Sequence, residues 1–174
     1  MLRDFNLLAT TSRGNEGNAC SELLYLLEKI GELGARVEKT EVSGLIAAKT
    51  ILNPFDVIAK LRKILSERPF EFRYTLRIIP IEKVVRSYLN EIRETAAELS
   101  SKINKNETFR VTVEKRFTGT LTREIIEAAA ESIERKVDLK NPDRILLVEV
   151  IGGVTGISVI KPQDILSIVK EKML

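Results

Sequence analysis

The sequence predicts an α+β chain made of two small domains. Three observations support this. Strand-like and helix-like segments alternate along all 174 residues; 44% of residues are hydrophobic and 30% charged, the balance of a folded chain. A β-prone run also ends at Pro80, near the middle, where a boundary is expected.

The first half opens with Phe5 to Thr11, a short β-prone run, followed by the polar turn-formers Ser12 to Asn18. Leu23, Leu26, Leu27, Ile30 and Leu33 then follow helical spacing, with Gly31 and Gly34 as stops. Ala35 to Val42 alternates apolar and polar residues, Ser43-Gly44 turns, and Leu45 to Ile51 reads as a second strand of a hairpin. Asn53-Pro54 opens a helix as N-cap and first-turn proline, with Val57, Ile58, Leu61 and Leu65 on one face and an end before Pro69. Phe70 to Ile79 alternates again, so residues 1–79 spell β-α-β-β-α-β, the ferredoxin-like order.

Residues 80–174 form the second predicted domain. Ile81, Val84, Val85, Tyr88, Ile92, Ala96, Leu99 and Ile103 predict one long amphipathic helix. Thr108 to Val113 reads as a strand, Leu121 to Val137 as a helix and Ile145 to Ile151 as a buried strand. Gly152 to Gly156 turns the chain into a strand at Ile157 to Ile160, and Pro162 starts a last helix.

Composition excludes most familiar chemistry. There is no His, hence no imidazole base or ligand, and the single Cys20 permits neither an internal disulfide nor a Cys-rich zinc site. No cofactor and no metal are expected, and the prior moves from enzyme to binding protein. No apolar run nears the roughly 20 residues of a membrane span, and Arg3-Asp4 interrupts any signal peptide. A soluble, cytoplasmic protein is expected. The net charge of +3 leans only weakly toward polyanions.

The most distinctive segment is Phe109 to Glu124, with Arg110, Lys115, Arg116 and Arg123 set against Glu114 and Glu124. Its Thr118-Gly119-Thr120 precedes a predicted helix, where free amides and the helix dipole favour phosphate. A solvated strand end with an ordinary threonine cap explains the same pattern. Gly152-Gly153-Val154-Thr155-Gly156 lacks dinucleotide spacing and is flanked by strands, which leaves a hairpin turn, able to add phosphate contacts if it lies beside Lys115 and Arg116. The loop Ser12 to Asn18 lacks the Gly-Lys-Ser/Thr ending of a nucleotide loop. Arg13 with Asn15 or Asn18 admits an acylphosphatase-like phosphate hydrolase as an alternative. Arg73 and Arg77 are four apart on one predicted strand, and aromatics at 5% without Trp supply a base-stacking platform poorly. The apolar face of residues 81–103 admits a protein-only scaffold, with core as the competing reading.

Taken in order, the long helix, Glu114-Lys115-Arg116-Phe117, a helix, Leu146 to Ile151 and Gly152 to Val159 resemble a THUMP domain, whose usual companion is a ferredoxin-like unit. The opening Leu8 to Glu16 with Ala19-Cys20 is similar to the small stand-alone THUMP proteins related to the adaptor of tRNA N4-acetylcytidine formation. The resemblance implies a non-catalytic tRNA-binding adaptor that presents tRNA to a separate enzyme, an RNA cytidine acetyltransferase. It implies Lys115, Arg116 and Arg123 as phosphate contacts and Gly153, Thr155 and Gly156 as the adjoining turn, followed by Arg13, Arg77 and Lys161. On this basis, replacing Lys115 and Arg116 together is expected to weaken binding to all tRNAs alike.

Overall fold

The computed structural model describes residues 2–173. They divide into two units, one running up to Ile81 and resuming at Gln163, the other Glu82–Pro162. In chain order the first unit begins with β1 (Leu7–Thr11), α1 (Glu16–Lys29), β2 (Arg36–Lys39), β3 (Leu45–Lys49), α2 (Pro54–Glu67) and β4 (Thr75–Pro80). The second contains β5 (Lys83–Arg86), α3 (Leu89–Leu99), β6 (Thr108–Arg116), α4 (Thr122–Ala130), β7 (Lys136–Val137), β8 (Arg144–Ile151) and β9 (Val154–Ile160). The chain ends with β10 (Leu166–Ser167) and α5 (Ile168–Lys172), which belong to the first unit.

In the first unit the sheet order is β10-β4-β1-β3-β2, all pairs antiparallel. The alternation along β1 sends Leu7 and Ala9 into a core with Ile46 and Ala48 of β3, closed by Leu23, Leu26 and Leu27 of α1 and by Val57, Ile58, Leu61 and Leu65 of α2. Asn53 caps α2 as expected, its side chain accepting from the Phe55 amide at 2.8 Å, with Pro54 in the first turn. Gly44 has φ +77, and a Cβ there would lie 2.8 Å from the Thr11 carbonyl oxygen, so only glycine fits this turn. Pro69–Glu71 forms a 3-10 turn, which shortens the strand expected from Phe70 to Thr75–Pro80.

The second unit is a sheet of order β5-β9-β8-β6-β7. β6 runs parallel to β8 and β7, whereas β8, β9 and β5 pair antiparallel. Phe109, Val111, Leu146, Val148, Val150, Ile157 and Val159 meet Ile92, Ala96 and Leu99 of α3 and Ile125 and Ala129 of α4 in one core.

Three sequence expectations are corrected here. The predicted helix from Ile81 to Ile103 is a strand, β5, followed by α3: β-branched Val84 and Val85 pair with the edge of β9, and the helix starts only at Leu89. The helix expected over Leu121 to Val137 ends at Ala130, and Lys136–Val137 instead pairs with β6. The final stretch, assigned to the second domain as its C-terminal helix, is a 3-10 turn at Pro162–Asp164, then β10 and α5. It groups with the first unit because β10 pairs with β4, through Leu166↔Ile78 and Ser167↔Arg77, and because Glu171 takes Arg62 of α2 at 2.6 Å. No helix among the described residues is long and apolar enough to cross a membrane.

Candidate nucleic-acid interface

One end of the second unit's sheet gathers most of the predicted site. The pairings Arg86↔Val154, Val154↔Ile151 and Ile151↔Arg116 place the ends of β5, β8 and β6 and the start of β9 in one row. The turn Gly152-Gly153 lies in the middle of that row and is fastened on both sides. The Gly152 amide donates to the Arg116 carbonyl at 2.8 Å, and the Gly153 carbonyl accepts from the Ser87 amide at 3.0 Å. Gly152 has φ 57, the left-handed conformation that a tight hairpin turn requires. The glycine turn therefore does lie beside Arg116, the proximity on which the phosphate reading depends.

The cations of this edge have different local environments. Lys115 is exposed and its Nζ donates to the Thr120 carbonyl at 2.9 Å, closing the loop between β6 and α4. In that loop Thr118 Oγ1 accepts from the Thr120 amide at 3.2 Å, an ST turn that brings the chain into α4. Arg123 lies in the first turn of α4, its side chain 80% exposed and 3.8 Å from Glu127. An exposed pair of this kind contributes little to stability and exchanges readily for a phosphate. Arg116 is different: its Nη1 lies 2.5 Å from Oε2 of Glu149, whose side chain is 2% exposed. That guanidinium compensates a buried carboxylate, so replacing it tests the fold before it tests a ligand.

The remaining predicted residues are distributed as follows. Thr155 and Gly156 lie inside β9 and are buried; Thr155 Oγ1 is 2.8 Å from Ser87 Oγ, which ties β9 to the end of β5. Both support the turn from beneath rather than facing solvent. Gly153 is exposed. Lys161 follows β9 at the far end of the same sheet, about 24 Å of strand away from the turn. Arg13 and Arg77 are exposed in the first unit, Arg13 in the loop after β1 and Arg77 on β4 opposite Thr10 of β1. Both belong to the end of that sheet from which the Ser12–Asn15 loop leaves.

At that loop the Gly14 amide and the neighbouring Gly44 amide are already engaged by a carboxylate. Glu16 Oε2 accepts from the Gly14 amide at 2.9 Å and Oε1 from the Gly44 amide at 3.0 Å. The amides of Glu16 itself and of Gly44 hold this carboxyl below its ordinary range.

Three exposed residues of the second unit's edge were missed. Phe117 is 68% exposed and Tyr88 56%, and the Arg86 guanidinium lies 5.0 Å from the Tyr88 ring centroid. Tyr88 falls in the stripe of the helix expected from Ile81, which starts only at Leu89.

Comparison with known proteins places this edge in a recognised module. Residues 86–160, which lie within the second unit, match the family model of the THUMP domain. Over 168 residues the chain is 25% identical to THUMP domain-containing protein 1 of Mus musculus, covering 85% of this chain and 48% of that protein. Among solved structures, PH1313 from Pyrococcus horikoshii Ot3 shares the fold at a TM-score of 0.66 and 19% identity, over 89% of this chain and 54% of that one. A 4-thiouridine synthetase solved with RNA and ATP shares it at a TM-score of 0.57 and 17% identity, over 94% of this chain and 42% of that one. The chain thus spans about half the length of these relatives.

Proposed function

We propose that this THUMP-containing chain binds tRNA without acting on it and presents it to a separate modifying enzyme, an RNA cytidine acetyltransferase forming N4-acetylcytidine in the cytoplasm. The observation that carries the RNA part is the edge where Lys115, Arg123, Arg86 and the Gly152-Gly153 turn converge within a THUMP match. Exposed cations beside braced backbone turns suit phosphates, whose contacts supply most of the affinity in such complexes. The 4-thiouridine synthetase among the structural neighbours was solved with RNA, which supports the same reading. The first unit, with strand order β4-β1-β3-β2 and its two helices, is read as the ferredoxin-like companion of the THUMP domain.

The phosphate-hydrolase alternative needs the loop after β1 to receive a phosphate. Glu16 already supplies a carboxylate to the Gly14 and Gly44 amides there, and a second anion beside it is repelled. A reconstituted acetylation assay tests the adaptor role: tRNA, acetyl donor and the acetyltransferase, with and without this chain. Stimulation by the wild-type chain, reduced by Lys115→Ala with Arg123→Ala, is expected. Equal acetylation with and without the chain refutes the adaptor role.

A further inference from the structure

We propose that Phe117 is a stacking platform for an unpaired RNA base, set beside the phosphate-binding cations; this deepens the RNA-binding reading and rests on it. Among the described residues Phe117 is the one non-glycine residue with positive φ, at 56. A bulky side chain in the left-handed region is strained, and such strain persists only where the surroundings enforce it. Here they do so from both sides. The preceding carbonyl, of Arg116, is held by the Gly152 amide, and the following loop is closed by Lys115 on the Thr120 carbonyl and by Thr118 on the Thr120 amide. Glycine or asparagine would meet the backbone requirement at lower cost.

The ring does not repay the strain by packing inward. It is 68% exposed and stands outside the unit's hydrophobic core. An aromatic face fixed by a braced backbone, two residues after exposed Lys115 and six before Arg123 in the first turn of α4, has the chemistry to stack a base while its phosphates meet the cations. Tyr88, under the Arg86 guanidinium, stands at the end of β5, three strand spacings or about 14 Å along the same edge. That span lets a single strand run from one ring toward the other over the glycine turn. A duplex, its bases stacked internally, offers no free base to Phe117.

The test uses the full chain with two probes, a short single-stranded RNA carrying one 2-aminopurine and a blunt RNA duplex of equal length. Wild-type protein is expected to bind the single strand and change its 2-aminopurine emission. Phe117→Ala should lower single-strand affinity about tenfold and abolish the emission change, leaving duplex binding as it was. Phe117→Asn, which suits the left-handed backbone, should behave like Phe117→Ala, whereas Phe117→Trp should retain both signals. Single-strand binding by the Ala and Asn variants equal to wild type overturns the proposal, as does wild-type protein that binds the duplex alone. Wild-type protein that binds neither RNA refutes the underlying RNA-binding reading instead.

Discussion

Arg116→Ala is expected to unfold the second unit's sheet end rather than only weaken RNA binding. Glu149 lies within β8 with a side chain 2% exposed, and Arg116 meets it from the neighbouring parallel strand β6. Removing one partner of a buried ion pair costs about 3–5 kcal/mol, because the remaining buried charge loses its counter-charge. The Arg116 side chain retains 22% exposure, so water reaches part of the pair, and a cost near the lower limit, about 3 kcal/mol, follows. With a urea slope of about 1–2 kcal/mol/M, the unfolding midpoint falls by about 1.5–3 M. The assay is urea unfolding followed by circular dichroism for wild type, Arg116→Ala, Glu149→Leu and the double variant Arg116→Met/Glu149→Leu. An apolar pair of similar volume removes both charges, so the double variant should lie within about 1 kcal/mol of wild type. A loss below about 1 kcal/mol for Arg116→Ala, or a double variant as unstable as the single one, refutes the reasoning.

Two further outcomes follow from the geometry. Glu32, 3% exposed, has its carboxyl held below its ordinary 4.5, first by the Thr50 hydroxyl and then by the amides of Ile51 and Gly34. A lowered folded value means the stabilisation is present above the unfolded value and is lost as pH falls through the folded one, so the first unit weakens in acid below about pH 4.5. Glu32→Gln should flatten that acid limb in urea midpoints taken across pH, and a limb parallel to wild type contradicts the assignment. Gly153 is exposed with open space where a Cβ would stand, so Gly153→Glu should leave stability within about 0.5 kcal/mol. The same change should weaken tRNA binding several-fold at low salt, and less at high salt, by adding negative charge to the edge. Unchanged filter-binding curves at low salt would remove the turn from the interface.

The fold was readable wherever local chemistry and tertiary packing agreed. Asn53-Pro54, the Leu23 to Leu27 stripe and the Ser43-Gly44 turn each carry a mechanism that acts over a few residues, and each element forms where those signals stand. Residues 81–88 misled because Val84 and Val85 serve a helical stripe and an edge strand equally well; pairing with β9, about 70 residues away, decided it. Lys136–Val137 and Leu166–Ser167 are short strands formed by a partner strand, with too few residues for a pattern. At the site, sequence found the cations and the glycine turn but could not separate Lys115, which faces solvent, from its neighbour Arg116, which serves Glu149. That difference depends on the parallel register of β6 and β8, a long-range fact. The exposure of Phe117 was unreadable for the same reason, since a Phe after an alternating strand ordinarily reads as core.

The most direct test of the central claim is a titration of the full chain against tRNA and an equal length of DNA duplex at several salt concentrations, repeated with Lys115→Ala/Arg123→Ala. The account predicts binding that favours tRNA, weakens with salt with a logarithmic slope near −3 for about three to four phosphate contacts, and loses about two from that slope in the variant. Absence of tRNA binding at about 50 mM salt, or affinity that neither salt nor the variant changes, contradicts it.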